Sequence, residues 1–156
     1  KPDTSIMFVT KLGLGLNAEK DDIPEQGRMA TGVKGMLIAD DDELISANQV
    51  TKGQNIVLVS NVAYAKQINT SEFEISVRYR KGMKVFDLRG ERSSGTSLLC
   101  AGSFEKEDDV LIEITPGEFA SISINSIAED IRAGKGSSLS VEKLKNIKNA
   151  IIKHNS

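Results

Sequence analysis

The sequence predicts an all-β protein made of propeller-like blades with about four strands each. Three observations lead there. Lys-Gly recurs at Lys34-Gly35, Lys81-Gly82 and Lys135-Gly136, each time downstream of a similar apolar run: Ile6–Val9, Ile56–Val59 and Val110–Ile112. A period near fifty residues marks a repeated supersecondary unit, and such units bury their faces only against their neighbours. Short apolar or alternating segments punctuated by Gly and polar turns fill the chain as far as residue 137. Aromatics make up only 4% and Trp is absent, so the core is assigned to Ile, Val, Leu and Met; 13 glycines against 3 prolines favour tight turns over Pro-rich linkers.

The first unit, about residues 5–53, opens with Ser5–Thr10, whose run of apolar residues fits a strand covered on both faces. Lys11–Gly15 turns it back. A polar excursion over residues 17–31 leads to Gly32–Ile38, then an acidic loop Asp40–Glu43 and a fourth strand Leu44–Val50. The second unit, about 54–107, repeats this order with Asn55–Ser60, the alternating Ala63–Ile68, the turn Arg80–Met83, and closing strands Val85–Leu88 and Ser97–Ala101. The third, 108–137, has Asp109–Thr115, a Pro116-Gly117 turn, Phe119–Ile124 and the turn Ile131–Gly136, and reads as incomplete because no closing strands are evident. Residues 138–156 instead carry helical spacing. Val141, Leu144, Ile147 and Ile151 form one stripe, Ser140 is a candidate N-cap and Glu142 suits the positive helix start, so an amphipathic C-terminal α-helix is expected to cap the sheet end. Three units make a partial ring, which further blades or a second copy would complete, and a chain that starts Lys1-Pro2-Asp3 is expected to be part of a longer polypeptide.

Charge narrows the function. The net charge is −2, yet residues 78–92 hold Arg78, Arg80, Lys81, Lys84, Arg89 and Arg92 against Asp87 and Glu91 alone, while acids gather at Glu19–Glu25 and Asp40–Glu43. Segregated charge can present a basic face on an acidic protein. Repeated cationic turns on one side of a blade array suit a polyanion. Glycine beside each Lys allows turn geometry and close approach to a phosphate.

Other chemistry finds little support. No Ser-His-Asp set, phosphate-binding loop or zinc spacing occurs, so no catalytic residue, metal or cofactor is expected. Asp40–Glu43 lacks the glycine and distant glutamate of a calcium loop and reads as a solvated turn. Cys100, the single cysteine, sits in the apolar run Ser97–Ala101 and reads as a buried strand residue in a reducing compartment. His154 reads as part of a frayed, solvated end. No apolar stretch is long enough to cross a bilayer as a helix.

Taken together, Ile6–Gly13, Arg28–Met36, Asp41–Ala47, Tyr64–Ile68 with Ser71–Phe73, and Arg132–Gly136 resemble the C-terminal domain of bacterial type IIA topoisomerase A subunits, of DNA gyrase or topoisomerase IV. The resemblance spans about residues 5–137 and implies a β-pinwheel, a propeller-like ring in which strands are exchanged between blades. It implies non-specific binding and bending of duplex DNA around a basic rim. The implied partners are the ATPase partner subunit together with the rest of the A subunit, in a cytoplasmic, nucleoid-associated setting. Catalysis, including the nucleophilic tyrosine, lies outside this segment in that ATP-dependent parent, so Tyr64 and Tyr79 are not candidates. The gyrase signature box Gln-Arg-Arg-Gly-Gly-Lys-Gly is interrupted here: Arg28–Gly35 keeps Gly32, Lys34 and Gly35 but inserts Met29, Ala30, Thr31 and Val33. That favours the topoisomerase IV branch or a divergent relative.

DNA contacts are expected from Lys34, Lys81 and Lys135, from Arg78, Arg80 and Lys84 around the middle turn, from Arg28 and Arg132 before the other two, and from Lys11 and Lys66 in the hairpins. The competing expectation is a propeller-type protein-interaction module that binds no DNA.

Overall fold

The computed structural model describes residues 4–19, 36–76, 80–139 and 147–155. The first repeat contributes β1 (Thr4–Thr10), β2 (Leu14–Glu19), β3 (Met36–Leu37) and β4 (Leu44–Thr51). The second contributes β5 (Asn55–Ser60), β6 (Tyr64–Asn69), β7 (Ile75–Ser76), β8 (Arg80–Lys81), β9 (Met83–Lys84) and β10 (Leu98–Ser103). The third contributes β11 (Asp109–Thr115), β12 (Glu118–Ser123), β13 (Ser137–Ser138) and β14 (Asn149–Lys153).

Each repeat forms a blade around one antiparallel hairpin. β1–β2, β5–β6 and β11–β12 are the hairpins, and β4, β10 and β14 pair with their first strands. Gly102 of β10 sits so close to Asn48 of β4 and Ile152 of β14 that a side chain there would press on both, so these three closing strands run side by side where the blades converge. The fourth position of a blade is filled from the following repeat. β7 and β9 pair with β2 of blade one, and β13 pairs with β6 of blade two. Strands are therefore exchanged between blades, as the pinwheel resemblance implies. Short β3 and β8 form a separate parallel pair.

Period-2 alternation explains the packing. On β5, Ile56 and Leu58 face blade one and join Met7, Val9, Ile68, Phe73, Val85, Phe86 and Leu98; Val57 and Val59 face blade three and join Val110, Ile112, Ile124, Ile127 and Ala150. Both faces of this strand are dry, which is why it reads as an uninterrupted apolar run. Ile6 and Phe8 of β1 bury the remaining face of blade one with Leu16 and Ala18.

The end of the chain corrects the expected C-terminal α-helix. Residues 140–146 lie outside the described residues, but Asn149–Lys153 is strand β14, in register with β11 from Asp109↔Lys153 to Glu113↔Asn149. The third unit thus has a closing strand. Its end is tied down rather than frayed: His154 Nδ1 lies 2.7 Å from Oδ2 of the buried Asp108, whose Oδ1 accepts from Asn155 N at 3.1 Å. The N–H of Glu105 and these partners hold the Asp108 carboxyl below the usual carboxylate range. A second correction concerns Val85–Leu88, which buries Val85 and Phe86 but forms no strand.

Among the described residues, a lysine is fully buried within a strand. Lys66 of β6 points to the blade-one side of its sheet, where its Nζ donates to the carbonyls of Ile131 and Arg132 at 2.9 Å and of Gly134 at 2.8 Å, and lies 5.1 Å from the Phe86 ring centroid. Burial pushes this ammonium from 10.5 down to about 8, against the pull of Asp130, Glu72 and Asp87.

These features make two measurable differences to stability. The unfolded chain keeps the Lys66 proton to higher pH than the folded one, so the stability linked to this group rises as pH climbs from about 8 towards 10.5. Urea unfolding at pH 7 and pH 10 should show a larger gain for the unaltered chain than for Lys66→Met, by roughly 2 kcal/mol once solvent screening is allowed for; equal gains contradict the burial of a charged amine. At the blade crossing, Gly136 has φ +73° and a Cβ there would lie 2.7 Å from the Ala65 carbonyl oxygen, whereas Gly117, at φ +84°, faces open space. Gly136→Ala should cost roughly 3 kcal/mol in urea unfolding and Gly117→Ala about 1 kcal/mol; matching costs would mean the crossing is not tightly packed.

Candidate nucleic-acid interface

The cationic turns belong to the strand exchange. Lys81-Gly82 leads into β9 and Lys135-Gly136 into β13, and these two strands lie antiparallel to β2 and β6, the equivalent strands of successive blades. Lys81 and Lys135 therefore occupy matching backbone positions where the chain crosses from one blade to the previous one. The side chains of Arg80 and Lys81 are not described, and Arg28, Lys34 and Arg78 lie outside the described residues, as does Tyr79.

Around the crossing of blades one and two the structure brings cations from two repeats together. The Arg132 guanidinium donates from Nη1 to the carbonyl of Lys84 at 2.8 Å, which seats the third-repeat turn on the end of β9. The N–H of Asp87 donates to the Gly134 carbonyl at 3.0 Å, a second tie between the same segments. Lys84 and Arg89 flank Asp87: Arg89 Nε donates to Oδ2 at 2.7 Å and Lys84 Nζ lies 3.5 Å from Oδ1. The hydrogen bond from Arg89 holds the Asp87 carboxyl below its ordinary range, so it stays ionised and fixes the two cations beside it. Their side chains remain 56% and 58% exposed, open to a ligand. Lys135 is exposed a few residues along the same turn.

The turn itself is over-determined. Asp130 accepts the N–H of Ile131 at 2.8 Å on Oδ1 and of Gly136 at 3.1 Å on Oδ2, and Arg132 N donates to Glu72 Oε1 at 2.6 Å. Each of these carboxylates is occupied by backbone donors, which turns part of the local negative charge to holding shape.

Lys84, Arg132 and Lys135 of the expected set thus share one edge. Lys66 is a correction: fully buried beneath this edge, its ammonium binds three carbonyls and cannot reach a phosphate outside. Both faces of β6 are covered here, and Lys66 shares with Ile68 the face that packs towards blade one, opposite Leu58 of β5. Lys11, in the β1–β2 turn, instead meets Glu43, just ahead of β4, at 3.7 Å. Arg89 was missing from the expected set, though the signal was present in its spacing from Lys84 around a single Asp87. The acidic loop behaves as a turn, with Asp42 Oδ1 accepting from Leu12 N at 2.9 Å and Glu43 N at 2.8 Å. Among the described residues no group of His, Cys, Asp or Glu is placed to hold a metal. Cys100 is buried, and burial pushes its thiol up to about 12. Among the described residues no helix is long and apolar enough to cross a membrane.

Known proteins share this architecture. The C-terminal domain of DNA topoisomerase IV superposes with a TM-score of 0.77 at 18% identity, covering 96% of this chain and 46% of that one. The DNA gyrase A C-terminal domain superposes with a TM-score of 0.74 at 20% identity, covering 97% and 49%. These likenesses speak for the fold. In sequence, the A subunit of DNA gyrase from Streptomyces coelicolor is 30% identical over 119 residues, and the A subunit of DNA topoisomerase 4 from Bacillus subtilis is 26% identical over 136 residues. The aligned parts cover 76% and 86% of this chain but only 14% and 16% of those relatives. The family model of the DNA gyrase C-terminal domain, a β-propeller, matches residues 4–51 and 54–91, which are the first blade and most of the second repeat. On fold and sequence together, this chain belongs to the DNA gyrase C-terminal domain family.

Proposed function

We propose that this chain binds duplex DNA without reading its sequence and curves it along the blade-crossing edge. In this role it is the accessory domain of a type IIA topoisomerase A subunit, presenting a DNA segment to a catalytic core elsewhere in that protein. The observation that carries the proposal is the assembly of Lys84, Arg89, Arg132 and Lys135 on one edge by strand exchange, with Asp87 held between two of the cations and Asp130 and Glu72 occupied by backbone donors of the turn. Phosphate binding needs no base code. Each neutralised phosphate releases counterions, and several contacts along a curved path offset the elastic cost of bending. Among the described residues of this edge no side chain is carried on a helix that could enter a groove, so contacts to the backbone fit better than groove readout. The partners on this proposal are duplex DNA, the ATPase subunit, and the remainder of the A subunit. They meet at the bacterial nucleoid while that enzyme changes DNA topology.

Fluorescence anisotropy with a mixed-sequence duplex over a salt series tests it. The unaltered chain should bind with an affinity that falls steeply with salt, and the double variant Lys84→Glu with Lys135→Glu should lower the slope of log K against log salt by about 2. An unchanged slope would remove this edge from the interface. An absence of salt-dependent binding would favour the protein-interaction module instead. End-labelled duplex should also show increased energy transfer between its ends on binding; a complex that leaves the ends as far apart as in free DNA contradicts bending.

A further inference from the structure

We propose that Lys66 is a positioning residue of the DNA-binding edge: its buried ammonium gathers the carbonyls of Ile131, Arg132 and Gly134 and thereby sets the turn that displays Arg132 and Lys135. The assignment rests on the function proposed above and goes beyond it by naming a residue that acts on DNA without touching it.

The repeat itself shows that the fold does not require a cation at this place. In the hairpin register, Ala65 lies opposite Val59 as Gly15 lies opposite Val9, so Lys66 stands in blade two where Leu16 stands in blade one. Leu16 is buried in an apolar cluster. A charged amine replaces a leucine at the point where the third-repeat turn lies over the sheet. Burying that charge is costly unless it is well solvated by protein. The solvation here comes from three carbonyls at 2.8–2.9 Å and the face of Phe86. All three carbonyls belong to the turn.

The turn needs such a centre. It bends so tightly that a side chain at Gly134 would run into the Asp130 carboxylate, and Gly134 N donates back to the Ile131 carbonyl at 3.0 Å. Carbonyls that converge on one side repel one another, and the ammonium offsets that repulsion with three donors. With the carbonyls drawn inward, the Arg132 guanidinium reaches the Lys84 carbonyl and Lys135 is left exposed on the outer side. Asp130, Glu72 and Asp87 surround the ammonium from three different segments, with Arg132 the cation acting against it.

A double-mutant cycle decides the matter. Duplex affinity would be measured by anisotropy for the unaltered chain, Lys66→Met, Arg132→Ala with Lys135→Ala, and the three changes combined. Lys66→Met should weaken binding about five-fold on its own, and by less than about 1.5-fold when Arg132 and Lys135 are already removed, because its effect passes through them. Amide exchange of Gly134 and Gly136 should quicken at least about ten-fold in Lys66→Met, with amides of β5 unchanged. Equal weakening in both backgrounds, or no weakening while the Arg132/Lys135 variant binds poorly, overturns this assignment alone. Absence of salt-dependent binding by the unaltered chain overturns the DNA function and this assignment with it. If Lys66→Met does not fold, nitrogen-edited NMR of the unaltered chain takes its place. One slowly exchanging lysine ammonium close to the backbone protons of Arg132 and Gly134 is expected, and lysine ammonium signals that all exchange at solvent rates overturn the assignment.

Discussion

The structure depends on one constraint, that a blade strand buried on both faces must also have its backbone edges paired. β5 is dry on both sides and hydrogen-bonded on both edges, to β6 and β10. Its partner β6 meets the same requirement only because the following repeat supplies β13, and β2 is satisfied likewise by β7 and β9. An unpaired edge offers a template for other chains to add to. Exchange closes that edge within the chain, and the crossings it requires are where Lys81-Gly82 and Lys135-Gly136 lie. Geometry and charge are thus joined at the second crossing: Gly136, where the backbone passes close to the Ala65 carbonyl, stands beside the exposed Lys135.

The same coupling explains how a chain of net charge −2 can carry a positive edge. Several of its acids are used as acceptors for backbone N–H groups. Asp42 supports the first hairpin, Asp108 anchors the end of β14, and Asp130 shapes the third-repeat turn. Asp87 sits between Lys84 and Arg89 and holds both in place. Total charge is therefore a poor guide to the field at this edge, since what matters is where each carboxylate stands and what it is bonded to.

Much of the fold was legible in the sequence. The hairpins, the repeat length and the closing strands β4 and β10 appear as alternating or apolar runs between Gly-containing turns, because strand periodicity and turn chemistry are local properties. β14 was not legible. Val141, Leu144, Ile147 and Ile151 suit a helix, but Ala150 and Ile152 alternate equally well around Ile151, and pairing with a strand forty residues away in β11 decides the outcome at Asn149–Lys153. Exchange itself was visible only through family likeness, since two-residue strands such as β9 and β13 carry no pattern. At the edge, Lys84, Arg132 and Lys135 were found as cations near Lys-Gly turns. Lys66 was misplaced because lysine is normally exposed, although its position in the alternation of β6, equivalent to buried Leu16, pointed inward. The spacing of Lys84 and Arg89 around Asp87 is visible in the sequence, but that both cations meet the same carboxylate is decided by how the loop folds.

Exchange also sets the order in which the polypeptide can fold as it leaves the ribosome. The first blade's own strands are complete at Thr51, but the strand that seals its outer side ends at Lys84. The second blade waits in the same way from Ser103 to Ser138. A nascent blade of this kind stays open-sided for more than thirty residues of further translation, seconds at ordinary elongation rates, so the unit repeated in the gene and the unit that folds during synthesis are offset from each other.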